Sequence, residues 1–108
     1  MKEDPTALAD AIERGRALHP EWDVAVGTYF RNAKGHEVLS TRGSPTVAAA
    51  CVMGFALAGG HPVWFGYLDG PCPAGDDLCI GPPLSLSHLN DLHRWSPERI
   101  VAWLREQA

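Results

Sequence analysis

The sequence has no apolar run long enough to cross a bilayer. The longest, Val47 to Ala58, falls well short of the roughly 20 residues that a spanning helix needs. Cysteine is scarce: three, an odd number, too few for a disulfide-framed secreted fold. No apolar segment follows Met1-Lys2-Glu3-Asp4-Pro5, so no secretory leader is expected. These absences predict a cytoplasmic protein with no membrane contact. Several catalytic motifs are missing too. There is no Gly-x-x-x-x-Gly-Lys-Ser/Thr loop, no Gly-x-Gly-x-x-Gly, no His-Glu-x-x-His and no serine in a nucleophile elbow. The sequence therefore predicts a protein that is not an enzyme.

What is present suits one small domain spanning 1–108. The chain has 108 residues, 45% of them hydrophobic and 20% charged, which is enough for one modest core. Nine Lys and Arg against thirteen Asp and Glu leave a net charge of -4. That balance disfavours a surface built wholly for polyanions, although a local basic patch is compatible with it.

Local signals divide the chain. Asp4 as N-cap and Pro5 at the first helical position open a helix. Leu8, Ala11, Ile12, Gly15 and Leu18 share its inner face, Asp10 and Arg14 are spaced to pair, and His19-Pro20 ends it. Trp22 is expected to pack over that end. Gly15 should weaken the helix by roughly 1 kcal/mol relative to alanine. Val24, Val26 and Thr28 to Phe30 read as strand, Asn32 to Gly35 as a turn and Glu37 to Ser40 as the return of a β-hairpin. Ser44 and Pro45 then predict a helix running to Gly59-Gly60, apolar all round and so the buried central element. Cys51 falls in the middle of it and reads as a small buried hydrophobe.

Residues 61–83 are rich in proline and glycine and read as irregular, with Val63-Trp64-Phe65 as a short strand. Residues 84–107 read as a helix-turn-helix-like pair. The first helix covers Leu84 to His93. Ser96 caps the second and Pro97 opens it, with Ile100, Trp103 and Leu104 inside and Arg99 and Arg105 outside. The expected fold class is α+β: a small single domain with a buried central helix, one β-hairpin and a C-terminal helix pair.

One constellation has metal-ligand character. Cys72, Cys79, His88 and His93 are ordered Cys-x6-Cys-x8-His-x4-His. Two thiolates and two imidazoles suit tetrahedral zinc, and a metal clip would offset the entropy of ordering a proline- and glycine-rich loop. The cysteine spacing is wider than the usual Cys-x2-4-Cys. Five residues apart on a regular helix, His88 and His93 stand about 140° out of phase. Both can reach one ion only if the helix ends or distorts near His93. The alternative is that both are ordinary half-buried histidines, hydrogen-bonded to backbone or to Asp91.

The same stretch allows a second use. A helix-turn-helix pair is a DNA-reading device, but its second helix offers only Arg99 and Arg105 as outward cations, matched by Glu98 and Glu106. A plain αα-hairpin packing on the core fits these residues better, and Arg94, Trp95, Arg99 and Arg105 are the candidate partner-binding residues. Oligomeric state is not legible.

Three segments carry a resemblance: Cys51-Val52-Met53-Gly54-Phe55-Ala56-Leu57, then His88-Leu89-Asn90-Asp91-Leu92-His93-Arg94-Trp95-Ser96, then Ile100-Val101-Ala102-Trp103-Leu104. Together they resemble a group of small uncharacterised phage and prophage proteins that end in a His-Leu-Asn-Asp-x-His-x-Trp-Ser/Thr stretch and a short helix. Many of those carry a Cys-x2-Cys pair shortly before it, where this chain has Cys72-x6-Cys79. The resemblance implies an accessory phage protein and no particular activity. The expected function is a non-enzymatic binding protein, such as an inhibitor of host defence or transcription. The alternatives are a DNA-binding regulator using 84–106 and a zinc-stabilised binding module.

Overall fold

The computed structural model describes residues 4–26, 28–37, 47–61, 67–68, 84–91 and 93–107. The fold is α+β. In chain order the elements are α1 (Pro5–Leu18), β1 (Asp23–Val24), β2 (Phe30–Asn32), β3 (Val47–Ala50), α2 (Val52–Ala58), β4 (Tyr67–Leu68), β5 (Leu84–Ser85), α3 (Leu86–Asp91) and α4 (Pro97–Glu106). One core takes side chains from all four helices and from β2 and β3.

Helix α1 begins as its cap chemistry dictates. The Asp4 carboxylate accepts the Thr6 N–H at 3.0 Å, and Pro5 follows at the first position. Leu8, Ala11, Ile12 and Gly15 are buried, but Leu18, expected on the same face, is 64% exposed. It is the last residue of the helix. Asp10 and Arg14 do not pair with each other. Arg14 donates from Nε to the Gly59 carbonyl at 2.9 Å, while Asp10 faces α4. Trp22 covers the helix end as expected, its ring 3.7 Å from that of His19 and within 4° of parallel.

The central helix is shorter than the sequence predicts. Residues 47–50 are not helical: they form β3, the middle strand of a sheet ordered β1-β3-β2. β1 runs parallel to β3, and β2 runs antiparallel to it. Val47-Ala48-Ala49-Ala50 has helical propensity, but a continuous run of small apolar residues equally suits a strand flanked on both edges. The backbone ladders on either side decide the outcome. The proposed helix start at Ser44 and Pro45 lies outside the described residues.

The expected hairpin is also rearranged. Asn32 to Gly35 does form the turn, with Gly35 at φ 84° and the Asn32 side chain accepting the Lys34 and His36 N–H groups. Arg31 bridges to Glu37 across it, yet the main partner of β2 is β3. Within the stretch expected to be irregular, Tyr67–Leu68 pairs antiparallel with Leu84–Ser85, so the first carboxy-terminal helix starts at Leu86. Val63-Trp64-Phe65 lies outside the described residues.

Helix α2 is buried at Val52, Met53, Gly54, Phe55 and Ala56, and ends at Gly59 with Gly60 at φ 98°. Its crossing with α1 is very close. A methyl group on Gly15 would stand 1.9 Å from the Phe55 carbonyl oxygen, and one on Gly59 would stand 1.9 Å from that of Ala11. The intrinsic weakness of a mid-helix glycine is thus outweighed by the close packing that it permits. Among the described residues, no helix is long and apolar enough to cross a membrane.

Candidate functional site

Of the residues singled out in the sequence, His88, His93, Arg94, Trp95 and Arg99 lie at the carboxy-terminal corner, where α3 gives way to α4. This corner is braced by Asn90, whose side chain is almost wholly buried. Its Oδ1 accepts the Val52 N–H at the start of α2 at 3.1 Å. Its Nδ2 donates to the carbonyl of Ala25 at 2.9 Å and to Oδ1 of Asp91 at 2.7 Å. One amide therefore ties α3 to the first helix turn after β3 and to the strand edge beside β1. Such a buried polar group is stable only because each of its bonds is made.

Helix α3 ends at Asp91. The His93 N–H points to the His88 carbonyl five residues back at 3.4 Å, and the Trp95 N–H donates to Leu89 at 3.0 Å. The two histidines, out of phase on a regular helix, meet past the end of α3. Their Nε2 atoms are 3.2 Å apart and the rings meet edge-on at 75°, with centroids 4.8 Å apart. Both rings are half-buried. The helix ends where joint use of the histidines requires.

Cys72 and Cys79 lie outside the described residues. Among the described residues, no group of three or more His, Cys, Asp or Glu side chains is placed to hold a metal ion.

The chain then passes through Arg94 at φ 55°, a left-handed conformation unusual for a non-glycine residue. Arg94 is exposed. Trp95 turns inward and is buried, and the Arg99 guanidinium lies over its ring, 4.0 Å from the centroid. This is a cation–π contact that holds one cation in a fixed place at the surface. Ser96 caps α4 by accepting the Arg99 N–H at 3.2 Å, with Pro97 at the first position. Pro97, Ile100 and Leu104 are buried, Trp103 is half-buried, and Arg99 and Arg105 face outward as expected.

Ion pairs fasten α4 to α1. Arg105 reaches Asp10 at 3.0 Å and also pairs with Glu13, while Arg16 pairs with Glu98. Glu13 and then Asp10 push the Arg105 guanidinium pKa upward. The Glu98 carboxyl is held below its usual range, first by its own backbone N–H and then by Arg16. Of the four residues expected at a partner surface, Arg94 and Arg99 present their cations at the corner. Trp95 supports Arg99 from below, and Arg105 is engaged by α1.

Cys51 occupies a place that the sequence does not reveal. It sits at the N-cap of α2 rather than in mid-helix, and its Sγ accepts the Gly54 N–H at 3.4 Å. A cysteine at a helix start is often activated. Here burial dominates and lifts the thiol from its ordinary 9.0 to about 11, with the negative charge of Asp91 adding to the rise against the lowering effect of the Gly54 N–H. At neutral pH it is a protonated capping group. The expected burial of Cys51 holds, and its capping role follows from β3 ending at Ala50.

Asn90 was legible only as part of the His88-to-Ser96 stretch. A polar residue between Leu89 and Asp91 carries no signal of its own until the neighbouring strand and helix are placed. No known protein family, no curated protein and no solved structure matches the chain.

Proposed function

We propose that this chain is a small non-enzymatic binding protein of phage accessory type, whose α3–α4 corner engages a protein partner in the host cell. The observation that carries this reading is the Arg94–Arg99 corner: one cation on a left-handed backbone, the next fixed over Trp95. Non-glycine residues in such backbone positions cost about 1–2 kcal/mol and persist where the surroundings enforce them, often at contact sites. Cations held in advance lose little freedom on binding. The chemistry suits an acidic protein surface, as on a component of host defence or transcription that the chain would inhibit.

Two further observations support the reading over its rivals. Arg105, one of the two cations on α4, is engaged by Asp10 and Glu13, which leaves that helix with few cations for phosphates and weakens the alternative of a DNA-binding regulator. The buried, protonated Cys51 lacks the thiolate character that a nucleophile needs.

The test compares the wild-type chain with R94E/R99E as bait in a host lysate, alongside retention on duplex DNA at low salt. A stoichiometric protein captured by the wild type and lost with the double variant supports the proposal. Equal capture by both, or salt-sensitive DNA retention with no protein partner, overturns it.

A further inference from the structure

We propose that the turn from α1 into β1, together with the outer edge of β1, is a second interaction surface, which takes an extended segment of a protein partner bearing both cationic and apolar side chains. The inference does not depend on the α3–α4 corner.

An open strand edge and exposed apolar side chains coincide here. Leu18 and Val24 are the two large apolar side chains exposed among the described residues, at 64% and 46%, and they bound one short stretch of chain. A single exposed leucine or valine is ordinary. The weight comes from the backbone beside them. β1 is an edge strand of its sheet. In its parallel register with β3, the Ala25 N–H donates to the Ala50 carbonyl at 2.9 Å, so the N–H and carbonyl of Val24 are directed away from β3. Among the described residues neither group has a partner. An extended chain can pair with them by strand addition, with Val24 and Leu18 beside it as apolar contacts.

Charge selects the occupant. The stretch carries Glu21 and Asp23, both exposed, and no lysine or arginine. Asp23 makes no ion pair among the described residues, and Glu21 reaches only His19, at 3.7 Å. The nearby cations of α1 are turned elsewhere, Arg14 to the Gly59 carbonyl and Arg16 to Glu98. Uncompensated carboxylates repel nucleic acid and anionic lipid and attract lysine or arginine. The turn is also firm. Trp22 stacks on His19 and packs inward on Phe30 and Phe55, with ring centroids 6.1 and 6.0 Å away, so little freedom is lost on binding.

The probe is a short peptide alternating lysine and valine, titrated into the full-length chain while backbone amides are followed by NMR. A peptide alternating glutamate and valine is the control, and E21K/D23K is measured beside the wild type. Both substituted side chains are exposed, and circular dichroism checks that the double variant is folded. The proposal expects saturable shifts centred on residues 18–26, slowed exchange of the Val24 N–H and no binding of the acidic peptide. Affinity should fall at least about fivefold in the double variant, and fall in the wild type when salt is raised to about 0.5 M. No saturable shift at Val24, equal binding of the acidic peptide, unchanged affinity in the double variant, or shifts at the α3–α4 corner instead overturns the proposal. Shifts at Val24 that grow with protein concentration without peptide identify a second copy of the chain as the occupant and also overturn it. If the double variant does not fold, the contrast between the two peptides on the wild type decides.

Discussion

The amide oxygen of Asn90 accepts the Val52 N–H at 3.1 Å, joining two residues 38 positions apart at the point where strand β3 becomes helix α2. The same side chain donates to Ala25, so one buried amide fixes three segments. Asn90→Ala would strand the Val52 N–H and the Ala25 carbonyl without these bonds in the interior. The expected loss is about 2–4 kcal/mol, read by urea unfolding. A change below about 0.5 kcal/mol would mean that the brace does not contribute.

The α1–α2 crossing makes a prediction opposite in sign to helix propensity. On propensity alone, Gly15→Ala should stabilise α1 by roughly 1 kcal/mol. Packing says otherwise, because the added methyl would collide with the Phe55 backbone, which cannot rotate away. The variant is expected to lose more than about 2 kcal/mol or to fail to fold. A rise in Tm would show that the helices do not approach so closely.

Cys51 gives a pH dependence. The folded thiol ionises near 11, against its ordinary value of 9.0. Below pH 9 both folded and unfolded chains carry the neutral thiol, and nothing is lost. Between 9 and 11 the unfolded chain ionises first, so stability should fall as pH rises, by about 2–3 kcal/mol at the upper end. Cys51→Ser keeps a capping atom and removes the ionisation. The difference in Tm between wild type and this variant should shift in favour of the variant only above pH 9. A constant difference from pH 7 to 11 would contradict the burial of the thiol.

Arg94 separates stability from binding. With φ at 55°, glycine at this position removes the steric cost of a side chain, partly offset by greater freedom in the unfolded chain. Arg94→Gly is expected to raise stability by about 0.5–1 kcal/mol in thermal unfolding while weakening partner capture. A destabilised variant would show that the side chain, not the backbone, holds the corner.

The parts of this architecture that were legible in the sequence are those decided within a few residues. Asp4-Pro5 and Ser96-Pro97 announce their helices because a cap is a local bond between a side chain and the next turn. Gly59-Gly60 ends α2 for a similarly local reason. The β3 strand was hidden because Ala48, Ala49 and Ala50 prefer a helix when isolated, and only pairing with β1 and β2 overrides them. Misplacing that strand also hid the capping role of Cys51. At the corner, the helix expected to run from Leu84 to His93 is instead Leu86–Asp91, because Leu84–Ser85 pairs with Tyr67–Leu68. Nothing local could show that Asp10 would turn to Arg105 rather than to Arg14, because that choice depends on how α4 packs across α1.

The central claim is that the α3–α4 corner is a pre-set contact surface. Amide hydrogen exchange on the wild-type chain, alone and with its captured partner, tests it most directly. Added protection concentrated at residues 93–100, with the rest of α4 and α1 unchanged, is the predicted result. Protection gathered elsewhere on the chain, with the Arg94 and Arg99 region exchanging as it does alone, would contradict it.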